Sequence, residues 1–356
     1  MRPRTRTRWV TTAVVSALLL AACGGGDDRT ATTERDGTTG ASGSTPAGGA
    51  EADSDAAGER EAITLGYYPN SALSLAWWVA DDEGFFDAAG LDVELVPFKS
   101  GPENVAALIG GTTQVGVGGP GNVMPPMLEG EELLATGPAL GLNYELWVRA
   151  AAVDGELVEG SPEAYEALRG LSIGVPALGG AADLFARYLL VQAGLDPDND
   201  VTFLATGSSA TAIPALVEEQ VDALVTSGAT PELAAAAGVD LRLVASALNG
   251  TTFDLGDDES AVFGMTTRDF ADSTAFDRYC TAMSSAIAWL HDEANGDAGA
   301  ELVAEVTGLE PATAAELYGR EADQWRLEVS EAGWEQDVAW TIDGDLPYET
   351  SVAECP

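Results

Sequence analysis

From about residue 60 onward the spacing of apolar positions switches repeatedly between two and about 3.6 residues, and each switch marks an element boundary. Residues 63–67 read as a strand and residues 73–80 as a helix. Residues 91–96 read as a second strand, because Leu91, Val93 and Leu95 alternate with Asp92 and Glu94 as on a half-buried face. Ser100-Gly101-Pro102-Glu103 has the form of a capping box opening a helix over 102–109, and Gly110-Gly111 ends that helix before a strand at 114–118. The unit is β-α-β-α-β.

The same unit recurs about 108 residues later: residues 171–175 match 63–67, residues 200–204 match 92–96, and Ala215-Leu216-Val217 match Ala107-Leu108-Ile109. Helices expected over 181–192, 210–219 and 231–237 alternate with strands over 221–225 and 241–245. That alternation implies parallel strands with helices on both faces. After Ser246 come a loop rich in Gly and Asp, a short strand at 261–266, and then mostly helix to about Asp343. Those helices lack sheet partners of their own, so the chain is expected to cross back and complete the first lobe. The expected fold class is α/β with two lobes, each a mixed, mostly parallel sheet flanked by helices. The first lobe takes residues 61–148 and 247–356 and the second 149–246, with crossings near 146–153 and 246–266. Ligands of such sheets sit at the carboxyl ends of the strands, which places a cleft between the lobes.

The amino-terminal pattern is different. Arg2, Arg4, Arg6 and Arg8 precede an apolar run over 10–22, the form of a signal peptide over 1–22. The run falls well short of the roughly 20 residues that span a bilayer. Leu20-Ala21-Ala22-Cys23 resembles a bacterial lipobox, which implies cleavage before Cys23 and a lipid on its thiol. Residues 23–60 hold Gly, Ser, Thr, Ala and acids with hardly a large apolar side chain, so a flexible spacer is expected. Without the signal arginines, 12 basic residues face 58 acidic ones. Such a surface repels phosphate backbones, and no nucleic-acid partner is expected.

Several motifs in order carry a family resemblance. Ile63-Thr64-Leu65-Gly66-Tyr67-Tyr68-Pro69, Glu83-Gly84-Phe85-Phe86, Ala89-Gly90-Leu91-Asp92-Val93-Glu94-Leu95, Ala106-Ala107-Leu108 and Gln114-Val115-Gly116 resemble the first lobe of the nitrate, sulfonate, taurine and thiamine-precursor binding proteins of ABC importers. Leu168-Arg169-Gly170-Leu171-Ser172-Ile173-Gly174-Val175-Pro176, Gly179-Gly180-Ala181-Ala182, Ala193-Gly194-Leu195-Asp196 and Gln220-Val221-Asp222-Ala223 are similar to the second. The resemblance runs from about Ile63 to at least Tyr318. It implies a type II periplasmic-binding-protein (Venus-flytrap) fold, expected as a monomer, that closes on a small solute and hands it to an ABC permease with its ATPase. Family members take anions, a zwitterion or an aromatic pyrimidine, so the solute stays open between a sulfonate- or nitrate-like anion and a thiamine-type precursor. A pyrimidine-forming synthase on the same scaffold and a solute-sensing lipoprotein are the alternatives.

The loops after the strands supply the candidate ligand residues: Tyr68, Asn70, Ser71, Lys99, Ser100, Gly119 and Asn122 on the first lobe, with Gly179, Gly180, Ala181, Ser208 and Ser227 facing them. Backbone amides at helix starts near Ser100 and Gly180 can donate to an anionic or carbonyl group. Lys99, the only lysine, either meets an anion or is a solvated loop residue. Tyr68, Tyr144 and Trp147 offer faces for a flat ligand, although packing accounts for Trp147 equally well. Gly116, Gly118 and Gly121 satisfy G-x-G-x-x-G, but Pro125-Pro126 would spoil the long helix that a dinucleotide needs. The single histidine, His291, reads as surface at the end of a helix, and Asp257-Asp258-Glu259 as a solvated run. No catalytic residue, metal site or cofactor is expected. Cys280 and Cys355 are either a disulfide, natural in an exported chain, or two thiols.

Overall fold

The computed structural model describes residues 60–355 except 70, 208 and 257, and of residues 209 and 210 only the backbone. The expected signal segment, Cys23 and nearly all of the spacer lie outside the described residues, as do Asn70 and Ser208.

Two mixed sheets organise the described chain. The strands are β1 (Glu61–Tyr67), β2 (Leu91–Pro97), β3 (Val115–Gly118), β4 (Leu133–Gly141), β5 (Glu145–Arg149), β6 (Ser172–Val175), β7 (Thr202–Ala205), β8 (Ala223–Thr226), β9 (Leu241–Ser246), β10 (Ser260–Thr267), β11 (Trp325–Arg326) and β12 (Val352–Ala353). The first sheet has the order β11-β4-β10-β3-β1-β2 with β12 also on β4, and the second β7-β6-β8-β5-β9. Parallel pairing joins β1 to β2 and β3, and β6 to β7 and β8, whereas β10 and β5 run antiparallel to their neighbours. This is a two-lobe arrangement in which each sheet is flanked by helices.

The duplication reaches down to individual bonds. Ile63 pairs with Val93 and Ile173 with Phe203, the same separation of 30 residues in each lobe. In the first lobe the Thr64 amide donates to Gln114 Oε1 at 2.7 Å while the Gln114 amide donates to Thr64 O at 2.9 Å. In the second, the Ser172 amide donates to Asp222 Oδ2 at 3.0 Å and the Asp222 amide to Ser172 O at 2.9 Å. A polar side chain entering the third strand thus clasps the first strand, and both clasps span 50 residues.

Four strands, β4, β5, β11 and β12, depart from the sequence expectation, the last two being short pairings on β4 where no strand was expected. All nine residues of β4 are buried, so no alternation announces it, and Gly137-Pro138, joined by a cis peptide, interrupts its pattern. Gly137 is required there because an added Cβ would stand 1.6 Å from Leu327 O. β5, expected within a crossing, is an interior strand of the second sheet, and the chain therefore enters that sheet by Glu145. The crossings that remain, 142–144 and 247–259, are tied side by side: the Leu142 amide donates to Glu259 O at 2.9 Å and the Ala247 amide to Tyr144 O at 3.0 Å.

The largest core cluster lies in the first lobe, where helix Leu75–Asp82 packs on helix Thr274–Leu290 through Trp77, Phe276, Tyr279 and Met283. Trp77 Nε1 donates to Tyr279 Oη at 2.9 Å, and that hydroxyl donates to Gly137 O at 3.0 Å. Tyr279→Phe leaves a buried donor and a buried acceptor unpaired at once. It is expected to lower unfolding free energy by about 1–3 kcal/mol, measured by chemical denaturation, despite removing a single oxygen. Cys280 on the same helix is bonded to Cys355, with a Cα–Cα separation of 5.2 Å.

Candidate functional site

Three helices begin where the lobes meet: Gly101–Ile109, Pro120–Leu128 and Ala181–Gln192. Their N-cap residues, Ser100, Gly119 and Gly180, all have extended backbone, and none caps its helix through a side chain. Helix starts without such caps present backbone amides and the positive end of the helix dipole. The expected capping box does not form. Glu103 Oε2 accepts from the Lys99 amide at 3.1 Å, one residue short of the cap, and Ser100 Oγ does not cap the helix.

Asn122 sits among the three starts. A Cβ added to Gly101 would fall 2.2 Å from Asn122 Nδ2, and one added to Gly180 would fall 3.4 Å from Asn122 Oδ1. That Oδ1 is buried without a hydrogen-bond partner. Gly119 and Gly121 close the contact: their added Cβ atoms would stand 2.9 Å from Ala181 Cβ and 2.9 Å from Ala181 Cα, respectively. Gly119, Asn122, Gly180 and Ala181 are therefore brought together, with Ser100 adjacent through Gly101. Gly179 joins them through its amide, which donates to Asp183 Oδ2 at 2.8 Å. Asp183, absent from the sequence expectation, is buried and also paired with Arg187 at 3.0 Å.

Beneath this junction two further donors converge on the end of β3. Tyr68 Oη and Asn104 Nδ2 donate to Val117 O at 2.8 and 3.0 Å. Asn104 is fully buried, and its Oδ1 explains Gly66, whose added Cβ would lie 2.2 Å away. Helical periodicity gives no reason to single out Asn104, which reads as one more polar residue of a first turn. Tyr144 donates to Ala261 O at 3.3 Å. Burial holds the Tyr68 and Tyr144 phenols well above their ordinary value, with Tyr144 adding to the effect on Tyr68 and Asp337 to that on Tyr144. Both are neutral donors already engaged by backbone carbonyls, and the buried Tyr144 ring packs on Phe185 with centroids 5.4 Å apart.

The remaining candidates lie elsewhere. Ser71 caps a short turn by accepting from the Leu73 amide at 3.3 Å, and Lys99 is exposed at the lobe surface. Ser227 belongs to a second contact between the lobes, where Arg320 of helix Pro311–Glu321 donates to Gly228 O at 3.0 Å and approaches Glu232 at 3.8 Å. Beside that contact is a cavity of about 600 Å³ lined by Glu145, Trp147, Glu232, Leu243, Leu248 and Arg320, among others. Trp147 Nε1 donates to Glu145 Oε2 at 3.0 Å, so the indole has a defined orientation on the wall. Burial pushes the Glu145 carboxyl up, with the Trp147 and Ser246 hydrogen bonds opposing. Glu259, expected in a solvated acidic run, is buried and accepts from the Gly256 amide at 2.9 Å. Among the described residues no trio of His, Cys, Asp or Glu is placed to hold a metal.

The two sheets, the paired crossings and the facing helix starts define a two-lobe periplasmic-binding-protein fold. The chain belongs to the NMT1-like family, whose model matches residues 56–304. Among solved structures it is similar to the alkanesulfonate-binding protein SsuA from Xanthomonas axonopodis pv. citri bound to MOPS, at TM-score 0.66 and 18% identity over 83% of this chain and 99% of that one. The periplasmic aliphatic sulphonate binding protein SsuA from Escherichia coli aligns at TM-score 0.63 and 17% identity, covering 82% and 97% of the two chains. The periplasmic nitrate-binding protein NrtA from Synechocystis PCC 6803 aligns at 0.59 and 15%, covering 72% and 69%. At such identities the likeness is one of fold. No curated protein matches the sequence.

Proposed function

We propose that this protein is an extracytoplasmic receptor that captures a small organic solute between its lobes and delivers it to an ABC import permease. The carrying observation is the meeting of three helix starts without side-chain caps, from both lobes, around Asn122. Helix starts so placed suit an anionic head group, because the N-terminal end of a helix favours negative charge. A sulfonate-type anion fits that chemistry, and the relatives named for sulfonates and nitrate support the reading. The lipobox-like Leu20-Ala21-Ala22-Cys23 supports a lipid anchor on the outer face of the membrane. The synthase alternative would need iron-binding and histidine chemistry, whereas His291 Nε2 is engaged with Trp325 O at 2.9 Å at the end of a helix. We therefore read the chain as a binding protein without catalysis.

One observation favours a second solute class. The cavity beside Arg320 combines the Trp147 face with the carboxylates Glu145 and Glu232, which suits a flat, amino-substituted ring of the thiamine-precursor type. Calorimetric titration with ethanesulfonate, MOPS and an aminopyrimidine separates the two. Sulfonate binding that Asn122→Leu weakens by about tenfold or more, through loss of a buried polar contact, supports the anion reading. Aminopyrimidine binding that is insensitive to Asn122→Leu but lost in Trp147→Ala transfers the site to the cavity. Binding of none of the three would return the solute to unknown.

A further inference from the structure

Asn143 lies in the crossing from β4 to β5 and is 1% exposed, and Glu321, the last residue of helix Pro311–Glu321, is 3% exposed. Asn143 Nδ2 donates to Glu321 Oε1 at 3.1 Å. Each partner has a second oxygen, Asn143 Oδ1 and Glu321 Oε2, that is also buried and has no donor. An amide and a carboxylate joined by one hydrogen bond thus leave two acceptors bare, a costly arrangement in a dry site. A carboxylic acid in the same place carries the O–H that the arrangement lacks.

The surroundings point the same way. Glu145 of β5 adds a second buried carboxyl across the lobe boundary, itself held by Trp147 Nε1 at 3.0 Å and Ser246 Oγ at 3.1 Å. Arg320, the neighbouring cation, is drawn toward Gly228 O and Glu232 on the second lobe. Ionising Glu321 therefore puts negative charge beside the crossing on the very helix whose Arg320 forms the second contact between the lobes.

We propose that Glu321 and Asn143 bind one proton as a latch at the crossing, so that the neutral acid holds the lobes together and its ionisation loosens them. Burial pushes the Glu321 carboxyl up to about 7, with Arg320 and the Asn143 hydrogen bond opposing and Glu145 adding to the rise. The ordinary value is 4.5, so this conformation holds more protons than a hydrated form between about 4.5 and 7. The latch is complete below that window, weakens as pH rises through it, and is lost above about 7.

The test needs no solute and so stands apart from the anion reading. Small-angle scattering of the purified protein at pH 5.5 and 8.5 is compared with that of Glu321→Gln, whose amide stays neutral and can donate to Asn143. The native protein is expected to expand at pH 8.5, its ratio of closed to open forms falling by about tenfold or more. Glu321→Gln is expected to keep the compact scattering at both values. Glu321→Met, which cannot ionise and makes no hydrogen bond to Asn143, is expected to give scattering that does not change between the two pH values, and it serves if the amide variant folds poorly. Equal expansion in the native protein and either variant, or no expansion in the native protein, would overturn the proposal.

Discussion

Replacing Gly121 with valine is expected to reduce solute affinity by at least about 100-fold while the protein keeps a cooperative melt. An added Cβ at this position would stand 2.9 Å from Ala181 Cα, 3.2 Å from the Ala181 amide nitrogen and 2.8 Å from Leu184 Cδ1. All three atoms belong to helix Ala181–Gln192 of the second lobe, two of them to its backbone, which has little room to give. Leu184 can rotate away, but Ala181 cannot, so relief must come from parting the lobes. Closure is what brings the helix starts together, and a wedge there removes binding free energy of about 2.7 kcal/mol or more for a 100-fold loss. The three atoms nearest the added Cβ all lie in the second lobe, so the strain falls first on the contact between the lobes. Gly319→Ala serves as the control: nothing lies within 4 Å of its added Cβ, and neither affinity nor scattering should change. Calorimetry with the bound solute checks affinity, and an increased radius of gyration in Gly121→Val checks the mechanism. Unchanged affinity would remove this junction from the site.

Gly121 also shows what was legible and what was not. Its place in G-x-G-x-x-G looked like a spoiled nucleotide motif, and the structure supplies another reason for each glycine. Gly116 yields to Met265 and Asn104, Gly118 to Val123 and Met265, and Gly121 to the opposite lobe. Residues 120–128 are helical despite Pro125 and Pro126, but the helix is only 9 residues long. Elements with a clear local period were readable: helix Ala181–Gln192 has its expected bounds, and β2 was visible in the alternation of Leu91, Val93 and Leu95. The fully buried β4 had no alternation to detect, and β5 carries the acid Glu145 in a buried position because Ser246 and Trp147 satisfy it. Among the candidate residues, Gly119, Asn122, Gly180 and Ala181, which the structure brings together, were readable because they follow strand ends. Asn104, Asn143, Glu321 and Asp337 were not. Asn104, Glu321 and Asp337 sit beside charged residues that read as surface, Asn143 is a lone polar residue in an apolar stretch, and only the packing of distant segments buries them. Asp337 is an instance: it accepts from the Ser260 amide and from Trp340 Nε1, and burial raises its carboxyl well above the ordinary range.

Opening the Cys280–Cys355 bond is expected to cost about 2–4 kcal/mol of unfolding free energy, the second large effect. The bond closes a separation of 75 residues, for which chain entropy alone gives about 4 kcal/mol. Part of that is offset if the tail stays docked without the bond, and the tail has contacts of its own. Trp334 Nε1 donates to Leu346 O at 2.7 Å, Tyr348 Oη to Val329 O at 3.0 Å, and Thr136 Oγ1 to Ala353 O at 2.7 Å beside β12. These bonds favour a global over a merely local effect, because β12 and β11 share the β4 edge and the tail is built into the first sheet. Chemical denaturation of Cys280→Ser/Cys355→Ser should therefore show a lower midpoint with a somewhat steeper slope, because the uncrosslinked unfolded chain exposes more surface, and the reduced native protein should coincide with the variant. An unchanged midpoint, with faster amide exchange confined to the last residues, would mean that the bond pins only the tail. Loss of the tail from β4 would bare the edge that carries Ala135 and Thr136, so a midpoint shift should be accompanied by faster exchange along that part of β4.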